Sequence, residues 1–564
     1  MSKLSIINLE TTKQTTSLKA CTHAFDELEI SSLLKIKPHY ISGKAIKFKA
    51  VDFFVTDLPT IHHRLEIFDD LLQHKEIYQL LVDILPIICS LREVSQRQEE
   101  PYKFIEYLYC IRDVELYIDS IINIHDAFTD LKTQIKSDGL NTFFKYIKNI
   151  HDSEEFQALK SELKSMSFHI KPIRSITVGI NLDMDAGYDF IDDMGILSIN
   201  EYRIRDGRNI LERIQQRPKQ DNDVPLMRRK NVLEMAKDKA MQIPTIPGSP
   251  KYITPINSIY NRLDKVSTDP IFDPLDGSTR HEFVLSFKNS INTVLKKTFK
   301  QLEFEVSEYV KTSTDFLADL LPEICFLISG VDFINEMKDR LVICKPKISE
   351  NQYGYIKGLK NPHLLTSKEN KDIKGNEINF DENGMLYILT GANSGGKSVF
   401  LQSVGISQAL FQLGLYIPAA EAVMTLTEHI SVYFPNKATM HDDGGRLEQE
   451  CKMISEAIKE ITNTSFVLMD ETFSSTSAYD ASILAESILS HLASIGCKGI
   501  FSTHIHDLDK AVKIINESEK SVVKVDSLVT LTEDGKRIYN VSRRRSEGHS
   551  HAKDIARKYG LLFE

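Results

Sequence analysis

The stretch "LTGANSGGKSVFLQS", residues 389–403, decides how this chain is read. From Gly391 to Ser398 it keeps the spacing G-x4-G-K-[ST]. The apolar run "MLYIL" (385–389) precedes it and the amphipathic run "SVFLQSVGISQALFQLG" (398–414) follows. A strand, a glycine-rich loop and a helix in that order form a cradle for phosphate. Glycines suit it because backbone N–H groups must close around phosphate oxygens without Cβ interference, and the helix N-terminus adds partial positive charge. Gly391, Ala392, Asn393, Ser394, Gly395, Gly396, Lys397 and Ser398 are therefore the expected nucleotide cradle. Lys397 is expected to pair with the β/γ-phosphates of ATP, and Ser398 to ligate Mg2+.

Two further elements lie downstream. "FVLMDE" (466–471) is an apolar run ending in two carboxylates. Asp470 is expected to complete the Mg2+ shell and Glu471 to polarise the attacking water. His504 follows the apolar run "KGIFST" (498–503), where it could contact the γ-phosphate or orient that water. Acids at strand ends are often merely solvated, and a loop histidine is often structural. Their position after successive strands downstream of the cradle favours the catalytic reading.

The rest of the chain bounds the problem. Its 564 residues suggest three to four domains, and 42% hydrophobic residues suffice for sizeable cores. A net charge of -10 argues against a chain coated with basic residues, but leaves room for a local basic groove. No apolar run is long enough to span a membrane, and the N-terminus lacks the apolar stretch of a signal peptide. The seven cysteines show no metal-ligand spacing, as in a reduced, cytoplasmic protein.

Two regimes follow one another. Up to about residue 340 the pattern is helical, with apolar residues three to four apart over 61–91 and 316–341 and with breaks or kinks expected at Pro86 and Pro322. From about 341, short branched and aromatic runs alternate with helical stretches, the pattern of a mainly parallel sheet with crossover helices. Residues 521–542 read as a hairpin turning at Glu533–Lys536, and 550–561 as a closing helix. The expected fold is multi-domain: an all-α core and lever region followed by an α/β P-loop ATPase domain.

At this point "TGANSGGKS", "LMDETFSSTSAYD" and "STHIHDL" resemble the ATPase domain of the MutS family, the ABC-type ATPases of DNA mismatch repair. "YIPAAEA" (416–422) and "DDGGRLEQECKMISEAIKEI" (442–461) sit where that family places matching segments, and "DLPTIHHRLEIFDDLL" (57–72) and "GINLDMDAGYDFIDDMG" (179–195) resemble parts of its helical core. The resemblance implies a segment 1–55 leading into a helical core, lever and clamp over 56–340, then an ATPase domain over 341–564. It implies a homodimer with each nucleotide between two subunits. Gly444, Gly445 and Arg446 would face the partner's γ-phosphate, and Ser475, Thr476 and Ser477 would lie along the dimer seam. Adenine would stack near Ile373. The chain departs from the family pattern at Leu447, where a serine is usual, and at Thr472-Phe473-Ser474-Ser475. The family's mismatch-reading domain, with its aromatic-x-Glu wedge, is expected to be absent, the triplets "FDE" (25–27) and "FIE" (104–106) being chance matches. No nuclease module is expected after the ATPase.

Basic clusters at Arg228-Arg229-Lys230 and Lys296-Lys297-Lys300 fall in the lever and clamp region, and Arg543-Arg544-Arg545 near the end. The first two are candidate contacts to DNA phosphates, reading charge and shape rather than sequence. The expected partner is double-stranded DNA, mismatched or branched, together with repair proteins. The competing reading is a nucleotide-gated protein-assembly switch that offers its helical arm to a protein.

Overall fold

The computed structural model describes residues 4–13, 18–41, 48–95, 104–131, 135–170, 175–182, 191–200, 315–366, 373–391, 396–434, 446–473, 476–505, 508–533 and 536–545. The basic clusters at 228–230 and 296–300 and the closing helix lie outside them, as do Ala392 to Gly395, Gly444, Gly445 and Ser475.

After a short helix α1 (Leu18–Glu27) and the single turn α2 (Ile30–Leu33), the helical region opens with α3 (Leu58–Gln73). Asp57 caps α3 by accepting from Thr60 N–H at 2.8 Å, and Pro59 occupies the first turn, where no donor is needed. Helices α4 (Lys75–Ser95), α5 (Phe104–Thr129), α6 (Asp138–His151) and α7 (Glu154–Ile170) follow. Helix α8 (Asp315–Asp319) stops just before Pro322, and α9 (Leu321–Arg340) starts at it. The break expected there is present. At Pro86, by contrast, α4 runs on without interruption.

The all-α expectation for this region needs correction. Strands β1 (Ser175–Leu182) and β2 (Ile191–Asn200) pair antiparallel into a two-stranded ribbon. "SITVGINL" alternates branched residues at period two, so the segment suits a pleat better than a helix. The triplet "FDE" is no wedge: Phe25 is buried in α1, edge-on to Phe54 at 5.8 Å.

The α/β region holds β3 (Lys347–Ile348), β4 (Gly354–Leu359), β5 (Asn376–Phe380), β6 (Leu386–Thr390), α10 (Lys397–Gln412), β7 (Glu421–Met424), β8 (Ile430–Tyr433), α11 (Arg446–Lys459), β9 (Phe466–Met469), α12 (Ala478–Ile495), β10 (Lys498–Ser502), α13 (Leu508–Glu517), β11 (Val525–Glu533) and β12 (Lys536–Arg543). One sheet runs β12-β11-β6-β10-β9-β8, all parallel except the β11–β12 hairpin. The other runs β3-β7-β4-β5. Every residue of β6, β9 and β10 is buried, which is why these strands read as unbroken apolar runs.

Side chains alternate between two cores. Leu386, Ile388, Val467 and Met469 face a cluster under α11, α12 and α13. Tyr387, Leu389, Phe466 and Leu468 face a larger cluster with α10 and the second sheet. That larger cluster continues without a break into α3, α4 and α9, so helical and α/β regions share one core. Residues 4–13 and 48–55, together with α1, lie across the join. Glu323 of α9 accepts from Ser5 Oγ and from the N–H groups of Ile6 and Ile7, while α1 packs on β8.

Candidate functional site

The sheet register brings the sequence-identified residues together. Ser502 pairs with Leu389, and Phe501 pairs with both Ile388 and Met469. Extending these parallel registers places Gly391, Asp470 and His504 just past the C-terminal ends of three adjacent strands. In open parallel sheets this edge is where ligands bind.

Gly391 leaves β6 with φ +137°, and a Cβ on it would collide with Thr530 Oγ1. Only glycine serves both demands. Gly396, at φ +94°, is the residue from which α10 starts. Lys397 follows with its side chain only 3% exposed. Its ammonium donates to Gly391 O at 3.1 Å and stands 3.6 Å from Glu471 Oε1, so it is held between the ends of β6 and β9. Ser398 is exposed on the same first turn.

Asp470 is buried, and its N–H donates to Tyr433 O at 2.9 Å. Burial pushes its carboxyl upward, opposed by the Ser398 hydroxyl beside it. Glu471 takes φ +42° and donates its N–H to Ser502 O at 3.0 Å, and Phe473 takes φ +61°. Two non-glycine residues in the left-handed region so close together mark a strained turn. This turn carries Glu471 out of the sheet while Phe473 stays in the core. His504 is exposed directly after Thr503, whose N–H donates to Leu389 O at 2.9 Å.

Buried oxygens without a hydrogen-bond partner gather at this edge. Among them are Asp470 Oδ1, Thr390 Oγ1, Thr472 Oγ1 and Thr530 Oγ1. Buried polar atoms are nearly always paired, so such a concentration marks a place built for a polar ligand. Asp470 with Ser398 is a hard-oxygen pair that fits Mg2+.

Other expected residues are placed differently. Helix α11 starts at Arg446 and packs on the second core, with Ile454 buried and Leu447, Cys451 and Ile458 against it; Ile461, just past the helix, is buried there too. Ser477 caps α12, accepting from Asp480 N–H at 3.2 Å and donating to Asp480 Oδ2 at 2.7 Å. Thr476 precedes it, and its N–H reaches Phe473 O at 3.4 Å. Arg543 is no free basic residue: Asp381 and Asp526 hold its guanidinium, each at 2.5 Å.

One residue was not legible as part of the site. Tyr539 of β12 is 53% exposed at φ +54°, and its ring lies 3.4 Å from where a Cβ on Gly396 would stand. Asn376 of β5 ties to it through Tyr539 O at 3.2 Å and Val541 N at 2.7 Å. Ile373, three residues before Asn376, is partly buried in the larger core.

Known proteins match both halves of the chain. A family model described as MutS domain V matches residues 387–560, the segment that carries this site. One described as MutS2 N-terminal domain matches residues 56–340, half of the chain. "DNA mismatch repair protein MutS" of Prochlorococcus marinus is 26% identical over 306 residues, 54% of this chain and 31% of that protein. The protein of the same name from Shouchella clausii is 27% identical over 215 residues, 38% of this chain and 24% of that one. "Endonuclease MutS2" of Caldanaerobacter subterraneus subsp. tengcongensis is 23% identical over 498 residues, 82% of this chain and 58% of the relative. The chain thus spans under two thirds of the length of each of these relatives. With Gly391, the acid pair and the strand-end histidine on one sheet edge, and the helical region matched over half of the chain, the protein belongs to the MutS family.

Proposed function

We propose that this protein is a MutS-like ATPase that binds DNA, with ATP binding and hydrolysis driving a dimeric clamp on mismatched, branched or otherwise distorted duplexes. The observation that carries the reading is the convergence of Gly391, Lys397, Asp470 and Glu471 on one strand edge, beside buried oxygens that lack partners.

Each residue has a task that its chemistry suits. Gly391 to Ser398 cradle the phosphates, and Lys397, already buried at the loop, supplies the charge facing their β/γ oxygens. Asp470 and Ser398 would hold Mg2+, which when bound neutralises charge developing on the phosphates. Glu471, on its strained turn, is the base that orients the attacking water, and His504 steadies the γ-phosphate or that water. Ile373 and Tyr539 flank the adenine. Gly444, Gly445 and Arg446 act on the partner's nucleotide, and the segment 475–477 lies near the seam. The exposed Tyr479 and Ile483, one turn apart on α12, support a contact with a second subunit there. DNA contacts are assigned to Arg228, Arg229, Lys230, Lys296 and Lys297 on sequence alone.

Glu471→Gln tests the catalytic assignment. The variant is expected to bind ATP with unchanged affinity, to lose turnover and to accumulate as a dimer. Hydrolysis at the normal rate would remove Glu471 from the mechanism. Binding to perfect, mismatched and branched duplexes, with and without ATP and across salt concentrations, tests the DNA assignment. Affinity for DNA is expected to fall steeply with salt. An absence of DNA binding even at low salt would leave the protein-assembly reading in its place.

A further inference from the structure

We propose that His125, His151 and Asp152 form a binding site for Zn2+ that staples helix α5 to the elbow between α6 and α7. His125 lies near the end of α5, His151 is the last residue of α6, and Asp152 caps that helix. One ligand atom from each residue lies within 4.8 Å of the others. The two imidazoles are parallel, with centroids 3.9 Å apart and planes 6° apart. Both are largely shielded, with side chains 17% and 21% exposed, while Asp152 reaches solvent.

The pairing on the Nδ1 side suits a metal. His125 Nδ1 faces Asp126 Oδ1 at 3.0 Å, and His151 Nδ1 faces Asp152 Oδ1 at 2.9 Å. His151 Nδ1 and Asp152 Oδ1 thus already stand as neighbouring ligands of one ion do, and the metal would take the place of the proton they share.

The frame around the pair is packed. Phe128, one turn beyond His125, stacks on Phe144 at 4.9 Å, and Phe156 of α7 lies 5.8 Å from the His151 ring. Two nitrogens on a tetrahedral Zn2+ sit about 3.4 Å apart. The ligands therefore close by on the order of 1 Å, and a tilt of the parallel rings turns their lone pairs onto one ion. Two nitrogens and one oxygen form a borderline donor set, which selects Zn2+ over the harder Mg2+ expected at the nucleotide site.

Calorimetric titration of the chelator-stripped full chain with Zn2+, in excess Mg2+, tests the site. The wild type is expected to take up one more Zn2+ than His125→Gln/His151→Gln. Asp152→Asn, at an exposed cap, is expected to weaken that same site at least about tenfold. Co2+ in place of Zn2+ should give a visible band that the double variant lacks. Equal stoichiometry and affinity in the wild type and the double variant would mean adventitious binding and overturn the proposal. If circular dichroism shows the double variant unfolded, Asp152→Asn decides: unchanged affinity overturns the site.

Discussion

Lys498→Met should flatten the dependence of stability on pH. Lys498 opens β10 in a small void between the two sheets, lined by Phe380, Gln408, Thr425 and Phe466. Among the described residues no carboxylate contacts it. Its ammonium reaches Thr425 Oγ1 at 2.7 Å and Gln408 Oε1 at 3.5 Å, and lies over the Phe380 and Phe466 rings at 5.1 and 5.0 Å. Burial pushes its pKa from 10.5 down to about 7. The folded state therefore holds less proton than the unfolded state between those two values, and stability rises with pH across that window. Below about 7 both states are protonated and the full cost applies. At about 1.4 kcal/mol per pH unit, the penalty at neutral pH is about 4 kcal/mol, and raising the pH from 7.0 to 8.5 removes about 2 kcal/mol of it.

Methionine fills the same space and places a thioether against both rings. It forfeits two hydrogen bonds, at about 1 to 3 kcal/mol for each buried group left unpaired. The two effects oppose each other at pH 7, so the slope is the sharper readout. Urea unfolding followed by far-ultraviolet circular dichroism suits a chain without tryptophan. The wild type should gain about 2 kcal/mol from pH 7.0 to 8.5 relative to the variant. Staying below pH 9 avoids the thiols of Cys344 and Cys497, which burial pushes up to about 11 and about 12 and which lower stability above 9. Parallel pH profiles for the two proteins would refute the buried-charge argument.

Two further outcomes follow from the packing. Gly391→Ala forces a Cβ into Thr530 at φ +137° and should cost about 1 to 3 kcal/mol of stability together with ATP affinity, read by thermal unfolding and nucleotide titration. Arg64→Met strips donors from Ile7 O, Phe53 O and Leu413 O in a fully buried site and should destabilise by about 3 kcal/mol or more, seen as a lower urea midpoint; an unchanged midpoint would contradict the role given to this residue.

The central strands were legible because burial on both faces leaves no alternation to disguise them. Gly391, Lys397 and the acid pair Asp470–Glu471 were singled out by their spacing, and the strand register brings them to one sheet edge. Long-range partners were not. Thr530 reaches Gly391 and Tyr539 reaches Gly396 through the β11–β6 and β11–β12 pairings, which no local pattern encodes. Pro86 misled for a different reason. Leu81, Val82, Ile84, Leu85 and Ile88 bury one face of α4 around it, enough to outweigh the roughly 3 kcal/mol a mid-helix proline costs. Arg64 gave no signal at all, since an arginine in an amphipathic pattern reads as solvent-facing. The ribbon β1–β2 was missed because its acidic, glycine-bearing link broke the run that its branched residues began.

Helix α10 ties the candidate site to the helical region by geometry alone. Its 16 residues span about 24 Å, and its first turn carries Lys397 and Ser398. At the other end Gln412 is fully buried, donating to Val55 O and Thr427 O, each at 2.8 Å, and accepting from Thr427 N and Oγ1. The next carbonyl, Leu413 O, accepts from Arg64 of α3 at 3.3 Å. The same guanidinium bonds Phe53 O and Ile7 O, and stands 5.6 Å from the Phe326 ring of α9. A shift of α10 along its axis must therefore either break several buried hydrogen bonds, each at about 1 to 3 kcal/mol, or carry α3 and residues 53–55 with it. Moving together is the cheaper course, so this joint is where a displacement at the candidate site enters the helical region.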